Sequence, residues 1–247
     1  MNKYCIANWK MYLNQFESIE FFNSFLKNNF DKDVKIVICP SYVNLFQSEQ
    51  LISKYDNIYL GSQNVSCHKT GAYTGDISIN MLEKLDCQFT IIGHSERRLY
   101  HDENNSIINK KLNILNESSI NPIICIGETL EEKNTGKTFE VLSNQINQIF
   151  SNIKIHKEKK YILAYEPIWA IGTGISAELK IINSVHNYIK NFIKDIGKNY
   201  CNLSLLYGGS VSENNASDIL EIENVDGFLI GSSSINPEKF YNIYNQF

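Results

Sequence analysis

The sequence predicts an α/β fold, a closed (β/α)8 TIM barrel that takes up residues 1–247 as a single domain. Three observations predict it. Short apolar runs alternate with longer amphipathic runs eight times, the pattern of a parallel sheet with helices packed outside. No Pro/Gly/Ser-rich linker interrupts the alternation. The chain has 247 residues, close to the ~250 that such a barrel uses as one domain.

The strands follow in order as Tyr4–Ala7, Lys35–Cys39, Ile58–Gly61, Phe89–Ile92, Pro122–Ile126, Tyr161–Tyr165, Ser204–Tyr207 and Gly227–Ile230. They are rich in Ile, Val, Leu, Phe and Tyr, as buried strands should be. Helical periodicity marks the segments between them. The first is Glu17–Phe30. Leu130–Phe150 carries Phe139, Leu142, Ile146, Ile149 and Phe150 at helical spacing. Ala177–Ile196 carries Ile181, Ile182, Val185, Tyr188, Ile189, Phe192 and Ile193 in the same way.

Composition narrows the function classes. With 43% apolar and 20% charged residues the chain reads as an ordinary soluble globular protein. A net charge of −4 gives no global basic field for nucleic acid, so an anionic ligand would need local groups. No stretch approaches the ~20 apolar residues of a membrane span. The start, MNKYCIANWK, has too short an apolar run for a signal peptide. Cys5, Cys39, Cys67, Cys87, Cys125 and Cys201 show no metal or redox spacing and read as reduced thiols of a cytosolic protein. His68, His94, His101, His156 and His186 lack ligand spacing, so no metal is expected. No nucleotide fingerprint or other cofactor motif occurs.

Seven of the thirteen glycines follow a predicted strand: Gly93, Gly127, Gly172, Gly174, Gly208, Gly209 and Gly231. In a barrel these turns share the carboxyl rim of the strands, where active sites form. Polar groups gather there too. The first strand end gives Asn8 and Lys10, the fourth His94, Ser95 and Glu96, the fifth Glu128 and the sixth Glu166. The seventh gives Ser210, and the eighth Gly231 and Ser232. Singly, each has an ordinary reading: a solvated flank, a satisfied histidine, a strand-end charge in water, a tight turn. Together they put a base, a cation, a histidine and two glycine-serine turns on one rim. Backbone N–H groups at the last two turns form a frequent phosphate site in this architecture.

Assembled in order, ANWKM, QNVS…GAYTGDIS, IIGHSERR, CIGETLEE…GKT, YEPIWAIGTG, YGGSV and DGFLIG resemble the triosephosphate isomerase family along the whole chain. The resemblance implies interconversion of dihydroxyacetone phosphate and D-glyceraldehyde 3-phosphate through an enediolate, in glycolysis and gluconeogenesis. It implies Glu166 as general base, its basicity raised by apolar surroundings. His94 would be a neutral electrophile with a pKa lowered at a helix N-terminus, Lys10 the fixed positive charge and Asn8 a further donor. Ile168–Gly174 would form a lid in which Trp169 and Ile171 exclude water. Gly172, Ser210, Gly231 and Ser232 would hold the phosphate. The segment Asn64–Ser78, long for a strand-to-helix loop, would be the dimer loop, with Tyr73 and Thr74 at its tip reaching the partner's Asn8 and Lys10 in a homodimer. Two positions depart from the family pattern: Ile175 replaces a lysine after the lid, and Ser232 replaces a second glycine. The alternatives are another phosphate-binding barrel enzyme and a catalytically silent barrel with a binding or surface role.

Overall fold

A computed structural model describes residues 3–30, 33–172, 176–196 and 203–247. Eight strands close in sequence order into one parallel barrel. They are β1 (Lys3–Asn8), β2 (Val34–Cys39), β3 (Ile58–Ser62), β4 (Phe89–Ile92), β5 (Asn121–Ile126), β6 (Tyr161–Tyr165), β7 (Leu203–Tyr207) and β8 (Gly227–Ile230). β8 returns to β1, with Cys5 opposite Phe228 and Ala7 opposite Ile230. Each predicted strand is present, with a bound shifted by a residue in some. The outer helices are α1 (Gln15–Phe25), α2 (Leu45–Ile52), α3 (Ile79–Glu83), α4 (Ser95–Tyr100), α5 (Asn105–Asn116), α6 (Leu130–Asn134), α7 (Thr138–Ile149), α8 (Leu179–Asp195), α9 (Ala216–Leu220) and α10 (Pro237–Tyr244).

Strand residues alternate faces, which divides the core in two. Tyr4, Ile6, Val37, Cys39, Phe89, Ile91, Ile123, Cys125, Ile162, Ala164, Leu206 and Leu229 fill the barrel interior. Their neighbours, such as Cys5, Ile36, Ile38, Ile124 and Leu205, face the helices. Both faces are apolar, so these strands read as continuous hydrophobic runs rather than alternating ones. Burial pushes the thiols of Cys5, Cys39, Cys87 and Cys125 up, Cys87 to about 12. They behave as small hydrophobes. Cys201 lies outside the described residues.

The helices differ from expectation where a local signal overrides periodicity. Leu130–Phe150 is two helices, not one. Gly136 sits between them at φ +73°, a left-handed conformation that suits glycine. α1 starts at Gln15 because the Asn14 side chain accepts the Phe16 and Glu17 N–H groups, and Glu17 reaches back to the Asn14 N–H. It stops at Phe25, and Phe30 folds back to within 4.9 Å of that ring from outside the helix.

Candidate active site

A cleft of about 400 Å³ opens at the carboxyl rim of the barrel. Asn8, Lys10, His94, Glu166, Gly172, Ser210, Gly231 and Ser232 all line it. The barrel therefore brings together every site residue selected from sequence.

Glu166 follows β6 directly and is held by both neighbouring strand ends. Its N–H donates to Ile126 O at 2.8 Å. A Cβ at Gly127 would fall 1.8 Å from Glu166 O, and one at Gly208 would fall 2.8 Å from Glu166 Cγ. The flanking glycines therefore make room for this carboxylate. Its side chain is 4% exposed, and Oε1 lies 3.1 Å from His94 Nε2. Oε2 accepts the Ser95 N–H at 3.4 Å, and the Cys125 thiol also donates to the carboxylate. Burial alone would raise the pKa of Glu166; His94, Cys125 and Lys10 outweigh it and hold the carboxyl below its ordinary value. The expected increase in basicity is thus reversed in this conformation.

His94 caps α4, accepting the Glu96 N–H on Nδ1 at 3.3 Å. That bond sets the neutral tautomer, with the proton on Nε2 facing Glu166. The expected lowered pKa is also corrected. Burial and Lys10 lower it, but the Glu166 carboxylate, helped by Glu96, outweighs them and draws it up. The upward pull lasts only while the Glu166 carboxylate stays charged and in contact.

Lys10 occupies φ +52°, a region a side-chain-bearing residue enters at a cost. Asn8 Oδ1 accepts its N–H at 3.1 Å, and Gln63 Nε2 donates to its carbonyl at 2.7 Å. Part of Asn8's role is thus to shape the Lys10 backbone. Lys10 Nζ pairs with Glu96 Oε1 at 2.6 Å, which fixes the cation beside His94. Gly231 lets the β8 turn approach: a Cβ there would lie 3.2 Å from Lys10 Cε.

The serines of the last two turns brace backbone. Ser210 Oγ donates to Ala170 O at 2.6 Å, and Ser233 Oγ to Val211 O at 2.9 Å. Ser232 is absent from the positive-φ residues, so its backbone conformation suits serine as well as glycine. That departure from the family pattern is sterically harmless.

Sequence reasoning gave Glu128 no role. It is fully buried and anchors the segment after Glu166. Trp169 Nε1 and Tyr165 Oη both donate to Glu128 Oε1, at 2.9 and 3.1 Å. Lys133 Nζ lies 3.4 Å above the Trp169 ring centroid. Trp169 is therefore an anchor outside the cleft, whereas Ile171 lines it. Across the same loop, Tyr207 Oη accepts the Ala177 N–H at 3.2 Å. Thr173, Gly174 and Ile175, the second departure included, lie outside the described residues.

A charged cluster behind His94 also went unread. Glu103 accepts from the Gly93 N–H at 2.9 Å, Arg97 Nε at 2.8 Å and Lys111 Nζ at 2.5 Å. Arg98 Nε donates to Gly93 O at 2.7 Å, and its Nη2 to Cys125 O at 3.0 Å. The signal was the paired arginines in IIGHSERR, which anchor the turn that carries His94. The loop Asn64–Ser78 is tied together by its own contacts. Ser66 N and Oγ pin its base to Ile77 O and Asp76 Oδ2, and the Tyr73 ring stacks on His68 at 3.8 Å. Among the described residues, no group of three or more His, Cys, Asp or Glu side chains could hold a metal.

The family model described as "Triosephosphate isomerase" matches residues 3–247. The triosephosphate isomerase of Aquifex aeolicus is 39% identical, each chain covered in full. That of Buchnera aphidicola subsp. Schizaphis graminum is 42% identical, over 98% of this chain and 96% of its own. That of Francisella tularensis subsp. mediasiatica is 38% identical, over 100% and 97%. This chain belongs to the triosephosphate isomerase family, and is an isomerase.

Proposed function

We propose that this chain interconverts dihydroxyacetone phosphate and D-glyceraldehyde 3-phosphate. Glu166 takes a proton from the carbon next to the carbonyl and returns it to the neighbouring carbon. Negative charge develops on oxygen in the enediolate. The Nε2–H of His94 and the ammonium of Lys10 are placed to receive it, and such preorganised donors are often the largest catalytic contribution. Once Glu166 has taken the proton, its pull on His94 ends. Burial and Lys10 then favour the neutral imidazole, against Glu96 alone. The backbone N–H groups of Gly172, Ser210, Gly231 and Ser232 bind the phosphate. Ile171 helps exclude water, which strengthens these interactions.

The observation that carries this reading is the 3.1 Å contact between Glu166 and His94 Nε2, in one cleft with Lys10 and the two glycine-serine turns. No metal or cofactor is assigned a role. All 247 residues serve as one domain, acting in the cytoplasm in glycolysis and gluconeogenesis. The chain works as a homodimer through the loop Asn64–Ser78. In support, the tip of that loop, Tyr73 included, is exposed, and the apolar Met11, Phe16, Val43, Phe46 and Met81 are exposed on the segments that follow β1, β2 and β3. Among the described residues, no helix is long and apolar enough to cross a membrane.

The test is a coupled assay in both directions with inorganic phosphate as inhibitor. The expected result is fast turnover both ways and inhibition competitive with substrate. A folded protein that turns over neither triose phosphate would overturn the reading.

A further inference from the structure

The ends of β4 and β6, with β5 between them, bring His94 Nε2 to 3.1 Å from Glu166 Oε1. The ladder between β4 and β5 ends with Ile92 opposite Ile124. The next carbonyls along the two strands are those of Gly93 and Cys125. Arg98, on α4, receives both: its Nε donates to Gly93 O at 2.7 Å and its Nη2 to Cys125 O at 3.0 Å. Its Nη1 donates to Asn105 Oδ1 at 2.7 Å, at the start of α5. One planar guanidinium thus ties three elements together.

Each of the two carbonyls adjoins a group of the proposed chemistry. Gly93 O belongs to the peptide that leads into His94. Cys125 precedes Ile126, whose carbonyl accepts the Glu166 N–H at 2.8 Å. A Cβ at Gly93 would lie 3.1 Å from Arg98 Nη2 and 3.3 Å from Cys125 O, so the glycine leaves the guanidinium its space. Glu103 holds the same residue from its other side, through the Gly93 N–H. Arg98 is half-buried and shares a narrow gap behind the cleft with Gly93, Ser95, Cys125 and Glu166. A lysine would not reproduce this arrangement. Its ammonium is a point charge on a flexible stem, whereas the guanidinium holds its donors in a rigid fork.

Given the isomerase function proposed above, we infer that Arg98 is a positioning residue for the reaction. Its fork continues the β4–β5 ladder past the last rung and so sets His94 and Glu166 at working distance. Arg98 stands outside the cleft lining and acts through the backbone. The phosphate cradle belongs to the turns after β6, β7 and β8, which its three bonds do not reach. Loss of the fork therefore slows the chemistry and leaves phosphate binding alone.

The experiment compares the parent with Arg98→Lys and Asn105→Ala, each checked for fold by circular dichroism. It reads kcat and KM for D-glyceraldehyde 3-phosphate, inhibition by inorganic phosphate, and the titration of His94 by NMR in the free protein. Arg98→Lys keeps the charge and loses the fork. Its kcat should fall about 100-fold, the cost of misplacing a reacting group by about 1 Å, with KM and phosphate inhibition within about twofold of the parent. Asn105→Ala frees one arm of the guanidinium and should lower kcat about fivefold, the share of one hydrogen bond. Contact with Glu166 draws the His94 pKa up, so the His94 midpoint should fall in both variants as that contact loosens. The titration needs no turnover. It therefore decides the role of Arg98 even if a folded parent without turnover were to remove the isomerase reading. Arg98→Lys with the parent's kcat and His94 midpoint would overturn the inference, as would a raised KM with kcat unchanged. Should Arg98→Lys not fold, a folded Asn105→Ala with the parent's kcat and midpoint would overturn it.

Discussion

Glu166 and His94 stand 72 positions apart, and each changes the protonation of the other. The residues themselves were legible in the sequence, because strand-end motifs carry them. Their proton balance was not, because it depends on contacts between β4, β5 and β6 that no local pattern encodes. The same holds for Lys10, whose strained backbone rests on Asn8 and on the distant Gln63. Two predictions belong at this scale. Gly208→Ala places a methyl 2.8 Å from Glu166 Cγ. A displacement near 1 Å at a catalytic group can cost about 100-fold, so kcat should fall by about that factor with folding retained. Lys10→Met removes the fixed cation. Loss of one preorganised donor costs about 10²–10³-fold, and kcat/KM should fall in that range under steady-state assay.

At the scale of elements, strands were easier to read than helices. A buried parallel strand is a short continuous apolar run, so its ends stand out. The segment before and after Gly136 kept helical periodicity across a break, and only the glycine marked it. Glu128 and Glu103 illustrate what stayed hidden: both are buried carboxylates whose partners come from other elements. Glu103 is pushed up by burial, yet Lys111, Arg97 and the Gly93 N–H hold its pKa below the ordinary value. Glu103→Gln leaves Lys111 buried without its counter-charge. Breaking such a pair costs about 3–5 kcal/mol, which urea unfolding should show. Glu128 has the opposite sign, since burial holds its carboxyl above the ordinary value. The folded state keeps its proton longer than the unfolded state. Stability should therefore fall as pH rises from about 4.3 through the raised folded pKa, and then stay level. Glu128→Gln should remove that decline from the stability–pH curve, with Trp169 still able to donate to the amide oxygen.

For the whole molecule, closure of the barrel explains why residues scattered from Asn8 to Ser232 share one cleft. The proposed homodimer makes a prediction at this scale. Sedimentation equilibrium should give twice the chain mass of 28.4 kDa, and shortening the loop Asn64–Ser78 should give monomers with reduced turnover. The central claim is proton transfer by Glu166. Its most direct test is kcat for dihydroxyacetone phosphate in the parent and in Glu166→Gln, with circular dichroism to confirm the fold. The account predicts a folded variant slowed by about 10²–10⁴-fold, the usual share of a positioned general base. A folded variant within a few-fold of the parent rate would contradict it.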